Sequence, residues 1–159
     1  MRILSGLYGV LRPLDAIQPY RLEMGVRLKT RRGQRLYDFW GPRPAEALNE
    51  AARGHKDPTL VNAASSEYFG AVDPAALKLP VINTRFLEEK DGDARVISFF
   101  AKRARGMLAR WAIDHRIAKA SDLRGFDAAG YRYVPELSSD TELTFARPQP
   151  PPAAPSRKT

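Results

Sequence analysis

The sequence predicts a mixed α/β (α+β) protein, a mixed β-sheet flanked by helices with a long basic helix over residues 101–118. Three observations carry this expectation. Short β-branched and aromatic runs bounded by Gly, Pro and Asp recur along the chain as strand candidates. One later segment has helical spacing instead: Ala104, Leu108, Trp111, His115 and Ala118 share a side, with Met107 beside them. Lys102, Arg103, Arg105, Arg110 and Arg116 occupy much of the remainder. Finally, Asp91-Gly92 lies between two strand candidates and reads as the turn of a hairpin.

The chain opens with Arg2-Ile-Leu-Ser-Gly-Leu-Tyr-Gly9, an apolar run that reads as a strand entering a glycine-punctuated turn. Prolines then favour extended or turn backbone through Val10–Asp15 and Pro19–Gly25. Arg12, Arg21 and Glu23 sit on this irregular ground, either displayed for binding or paired with one another. Residues 1–35 hold eight Lys and Arg against two Asp and Glu. Leu36-Tyr-Asp-Phe-Trp-Gly41 supplies three aromatics; Tyr37 and Trp40 could stack on bases, but clustering favours burial against a sheet.

Pro44–Ala52 reads as a helix with proline in its first turn and Gly54 beyond its end. Leu60–Ala64 is a strand candidate, and Ser65 or Ser66 can cap the short helix that follows, with Glu67 in its first turn. A strand end leading into a helix N-terminus suits an anion, although the helix dipole alone accounts for Glu67. Asp73–Leu77 resembles one capped turn and Pro80–Phe86 a strand. Glu88–Asp93 reads as a polar turn, and Arg95–Phe100 as a strand feeding the basic helix. Residues 95–119 carry seven Lys and Arg against one Asp. Ser121–Gly125 suggests a short turn, and Tyr131–Val134 with Glu142–Phe145 a closing strand pair. Residues 148–159 form a proline-rich tail expected to be disordered or extended.

Composition bounds the function. A chain of 159 residues with 43% hydrophobic content suits one domain with a real core. The formal charge of +8 favours a polyanionic partner. The absence of cysteine excludes disulfides, thiolate metal sites and a cysteine nucleophile. No apolar run reaches the length of a signal or membrane span, so a cytoplasmic protein is expected. Phosphate loops, dinucleotide fingerprints, nucleophile elbows and zinc-protease motifs are all missing, so no enzymatic reaction is assigned. His55 and His115 stand alone, and Glu88, Glu89, Asp91 and Asp93 read as a hydrophilic turn.

Ser5-Gly-Leu-Tyr-Gly9, Leu11-Arg-Pro-Leu-Asp15 and Pro19-Tyr-Arg-Leu-Glu-Met-Gly25 together resemble the signature of the YaaA family of bacterial peroxide-stress proteins. Leu36–Gly41, Val61–Phe69, Ser98–Gly106 and Gly130–Tyr133 follow in the family's order. Ala63 stands where a bulkier apolar residue is expected, and Arg103 replaces a more usual Lys. The resemblance implies a mixed α/β protein that binds DNA and limits oxidative damage by lowering unincorporated iron. From the sequence itself no cofactor and no membrane partner are expected, and no protein partner is identified. Family members begin upstream with a Ser-Pro-Ala-Lys strand and a segment resembling a helix-hairpin-helix. Residues 1–147 are therefore expected to be the C-terminal portion of one YaaA-like domain, an incomplete domain.

Two sites follow from these readings. The first contacts DNA phosphates through Arg12, Arg21, Lys102, Arg103 and Arg105, with stacking from Tyr20 or Tyr37, on double-stranded DNA with little sequence preference. The second, of a different class, is an enzyme or small-anion site around Tyr20, Arg21, Asn62, Ser65 and Glu67, in which Arg21 holds the anion and Glu67 acts as general base. A structural network would explain the same polar residues. Direct iron binding would have to rest on carboxylates, and no clustered set stands out.

Overall fold

In a computed structural model, which describes residues 1–151, the chain divides into two units, Met1–Ile82 and the residues from Asn83 onward. The first unit opens with β1 (Ile3–Ser5) and β2 (Gly9–Leu11), an antiparallel hairpin that pairs Ile3 with Leu11 and Ser5 with Gly9. The single expected strand is thus two. Tight approach explains the glycines: a Cβ on Gly6 would lie 2.5 Å from the Leu22 carbonyl oxygen, and one on Gly9 (φ +75°) 2.8 Å from the Trp40 ring.

The aromatic run folds as α1 (Leu36–Trp40), stopped at Gly41 with φ +52°. Next comes α2 (Arg43–Ala51), with proline at its second position. In β3 (Leu60–Asn62), the Leu60 N–H donates to the Pro80 carbonyl at 2.8 Å. The short helix α3 (Ser66–Phe69) is capped by Ser65, whose Oγ accepts the Tyr68 N–H at 3.4 Å. Asp73 closes the expected single turn by accepting the Ala75 N–H on its side chain at 2.9 Å. Two small cores result. Met24, Leu36 and Ala71 gather Leu22, Tyr37, Trp40 and Tyr68, while Ala45, Leu48 and Val72 gather Leu4, Val10, Leu60 and Phe69.

The first two residues of β4 (Val81–Lys90) close the first unit, and the rest of the strand founds the second. Asp91 (φ 53°) and Gly92 (φ 86°) turn it into antiparallel β5 (Asp93–Arg95), the backbone pattern that two-residue hairpins favour. β7 (Glu142–Pro148) runs parallel to β4, with Phe86 beside Phe145 and Glu88 beside Arg147. β6 (Arg132–Tyr133) pairs antiparallel with β7, so the sheet is mixed. An aromatic cluster fills its core: Phe86 stacks on Phe145 at 5.4 Å and meets Tyr131 edge-on at 5.3 Å, and Phe126 meets Phe145 edge-on at 5.4 Å. Each such pair contributes roughly 0.5–1.5 kcal/mol beyond burial.

The basic helix α4 spans Ser98–Asp114 rather than 101–118. Only Arg95 of the expected strand 95–100 is a strand residue, and Phe99 and Phe100 belong to the helix. Ala101, Ala104 and Leu108 form its buried stripe. At its end Arg116 turns left-handed (φ 50°), and the Ile117 N–H reaches back to the Ala112 carbonyl at 2.9 Å, a Schellman closure that leaves Ala118 outside the helix. His115 is exposed and stacks on Trp111 at 4.3 Å. β7 continues through Pro148, and the Gln149 N–H donates to the Glu89 carbonyl at 2.8 Å. The expected tail is therefore ordered at these two positions, and residues 152–159 lie outside the described residues. Among the described residues no helix is long and apolar enough to cross a membrane.

Candidate functional site

The irregular segment after β2 is built by its own side chains. Asp15 Oδ2 accepts the Arg12 N–H at 2.8 Å, and Asp15 Oδ1 accepts from Arg12 Nε at 2.8 Å. Those bonds, backbone first, hold the Asp15 carboxyl below its usual range. Arg12 therefore spends much of its guanidinium locally. Arg21 is exposed and has no ion-pair partner among the described residues. The Tyr20 hydroxyl meets Ser5 Oγ at 2.5 Å, and its ring meets Tyr8 edge-on at 5.4 Å.

The residues of the expected catalytic cleft carry backbone bonds. Glu67 Oε1 accepts the Gly25 N–H at 2.8 Å, Tyr37 OH donates to the Glu67 carbonyl at 2.9 Å, and Asn62 Oδ1 accepts the Ala64 N–H at 3.0 Å. Ser65 is the α3 cap. Glu67 thus ties the loop through Gly25 to α3. The carboxylate also acts on its neighbour Tyr68, whose phenol is pushed up by burial first and by the Glu67 charge second. Tyr37 packs into the Met24 core, whereas Tyr20 keeps 38% of its surface exposed. A depression of about 680 Å³ at the end of α2, lined by residues such as Glu46, Glu50, Arg53 and Lys78, contains none of these groups.

In the second unit α4 presents Lys102 and Arg103 as exposed residues, with Arg105 half-buried. At 3.6 residues per turn the three spread over about 160° of helix surface. Gly106 falls between Lys102 and Arg103 on this arc, and a Cβ there would meet open space. Further along, Arg110 is matched by Asp114 at 2.8 Å, whereas Lys102 and Arg103 have no ion-pair partner among the described residues. The face is cationic and open at Gly106, with exposed Phe99 on the same arc.

One network was hidden in the sequence. Glu88, expected in a hydrophilic turn, is 1% exposed: Tyr131 OH donates to Glu88 Oε1, and Arg147 Nε donates to Glu88 Oε2 at 2.9 Å. Burial first, and the bond to Glu88 second, push the Tyr131 phenol up. Arg147 lies over the Tyr131 ring at 4.4 Å and the Phe100 ring at 5.2 Å, so the same network braces the start of α4. No spacing rule announces a partner 59 residues away; only the parallel β4–β7 register sets these two side by side. Among the described residues no three of His, Asp and Glu gather as a metal set.

A family model described as peroxide stress protein YaaA matches residues 1–137. A UPF0246 protein of Phenylobacterium zucineum (strain HLK1) is 78% identical over 157 residues, covering 99% of this chain and 59% of the relative. A UPF0246 protein of Caulobacter vibrioides (strain NA1000 / CB15N) is 65% identical over 150 residues, covering 94% of this chain and 59% of the relative. One of Dinoroseobacter shibae is 55% identical over 158 residues, with 99% and 59% covered. The chain thus spans about three-fifths of the length of these relatives. Across most of its own length, including the hairpin, the Glu67 tie and the basic helix, the chain belongs to the family of the peroxide stress protein YaaA.

Proposed function

We propose that the chain binds DNA through its phosphates and that this contact helps limit iron-dependent oxidative damage. Lys102 and Arg103 supply the principal charges, Arg105 and Arg21 add to them, and Arg12 contributes while bonded to Asp15. The observation that carries the reading is the outward arc of α4, where two cations without an ion-pair partner among the described residues flank a glycine that leaves room for a close backbone approach. Such contacts read charge rather than base edges, so double-stranded DNA of any sequence serves, with Tyr20 the residue available for stacking. Neutralised phosphates also release condensed cations. Iron held in that atmosphere would be displaced from the duplex, which connects phosphate binding to protection from peroxide chemistry.

Fluorescence anisotropy of a labelled duplex, titrated at several salt concentrations, tests the assignment. Lys102→Ala with Arg103→Ala is expected to weaken binding and to flatten the dependence of log K on log salt by about 2, close to 0.9 for each phosphate that is no longer neutralised. An unchanged slope in a folded variant sinks the assignment.

A further inference from the structure

Between Val26 and Leu36 the first unit carries Arg27, Lys29, Arg31, Arg32 and Arg35 with no Asp or Glu among them. A tight turn organises them. The Thr30 N–H donates to the Gly33 carbonyl at 2.8 Å, and the Arg32 N–H donates to Thr30 Oγ1 at 3.1 Å. A Cβ on Gly33 would fall 2.3 Å from that of Asp38, so only glycine allows this approach to α1. Asp38 is the nearby acid. Its Oδ2 accepts the N–H groups of Gln34 at 2.8 Å and Arg35 at 3.0 Å, and so holds the backbone of the turn's far side in place. Arg32 folds back over the Phe39 ring at 5.2 Å and reaches the Phe39 carbonyl at 3.4 Å.

The remaining cations are uncommitted. Arg27, Lys29, Arg31 and Arg35 have no ion-pair partner among the described residues. Two of them, Arg27 and Lys29, share one side of the segment. They line a depression of about 350 Å³ together with Gln34 and Arg35. Three positive charges and one amide thus line one open concavity, where two guanidinium forks can each offer paired N–H donors. The chemistry that satisfies them is a tetrahedral oxyanion with several acceptor oxygens.

We infer that Arg27, Lys29, Gln34 and Arg35, displayed by the Thr30–Gly33 turn, form a phosphate-binding site, which takes either a nucleic-acid phosphodiester or free phosphate. As a DNA contact it rests on the function proposed above and adds a second foothold to α4; as a free-phosphate site it stands without that reading.

Two measurements on the full chain separate these cases. In the salt-dependent anisotropy titration, the triple variant Arg27→Ala, Lys29→Ala, Arg35→Ala is expected to flatten the slope by about 2–3. Its melting temperature should be unchanged, because the three side chains are exposed. If the triple variant melts early, Lys29→Gln alone is expected to flatten the slope by about 1. In parallel, inorganic phosphate is titrated into the protein while NMR follows the Gln34 side-chain amide and the arginine Nε–H signals. A flattened slope supports the site with nucleic acid as its phosphate source. An unchanged slope with saturable shifts at Gln34 supports it with free phosphate as the source. An unchanged slope without such shifts overturns the site, and the α4 assignment still stands if its own variant flattens the slope. If the parent chain fails to bind DNA, the α4 assignment falls and the phosphate titration alone upholds or overturns this site.

Discussion

Two arginine–carboxylate pairs in this protein have nearly the same length and opposite settings. Arg12 and Asp15 meet at 2.8 Å on an exposed loop of the first unit, with 73% and 24% of their side-chain surfaces accessible. Arg147 and Glu88 meet at 2.9 Å inside the second, with 11% and 1% accessible. Distance therefore says little about what either pair does. Water screens the first and competes for its donors, so its effect is local shape. The second is enclosed by Tyr131 and Phe100, and removing either partner strands a charge away from solvent.

The largest expected effect follows from that enclosure. Arg147→Ala leaves Glu88 with Tyr131 alone and is expected to lower stability by about 3–5 kcal/mol in urea unfolding. The triple replacement Arg147→Met, Glu88→Leu and Tyr131→Phe should recover most of the loss, because it strands neither a charge nor the buried Tyr131 hydroxyl. A single-variant loss no greater than that of Arg12→Ala would break the comparison.

Glu67 lies between these extremes, exposed yet bonded to the main chain of Gly25. Glu67→Ala is expected to cost about 1 kcal/mol and to speed hydrogen exchange at the Gly25 amide. Glu67→Gln should cost less, because its amide oxygen can still accept that bond. This pair of variants also addresses the reading of Glu67 as a general base. A base would be lost in both, whereas an anchor is lost mainly in alanine.

The smallest effect belongs to Arg12→Ala. Asp15 titrates below its usual value in the folded chain, so its contribution to stability is present above the unfolded carboxylate pKa of about 3.9 and is lost as pH falls through the depressed folded value. NMR titration of the Asp15 carboxyl in Arg12→Ala is expected to move its midpoint only part of the way toward the ordinary value, because the backbone N–H at position 12 still donates to the carboxylate. Neutral-pH stability should barely move.

Much of the fold was legible because its signals are local. Pro44 in a first turn, Ser65 before Glu67, and Asp91-Gly92 between extended runs each satisfy a geometric need within a few residues. The α4 face was equally legible, since charge spacing on a helix follows from its period. Its boundaries were not. Val96 and Ile97 have strand chemistry but no strand, and the closure at Arg116 uses a left-handed residue that is not glycine.

By itself the sequence determined the mixed α/β class, the family and the excess of positive charge, because periodicity, motif order and composition need no distant partner. Tertiary structure alone decided where individual charges are spent. A parallel register converts Glu88 from a turn residue into a buried partner of Arg147, and α1 places Asp38 beneath a turn whose cations have no ion-pair partner among the described residues. A side chain's electrostatic role depends on its dielectric surroundings and on partners far along the chain, and folding creates both.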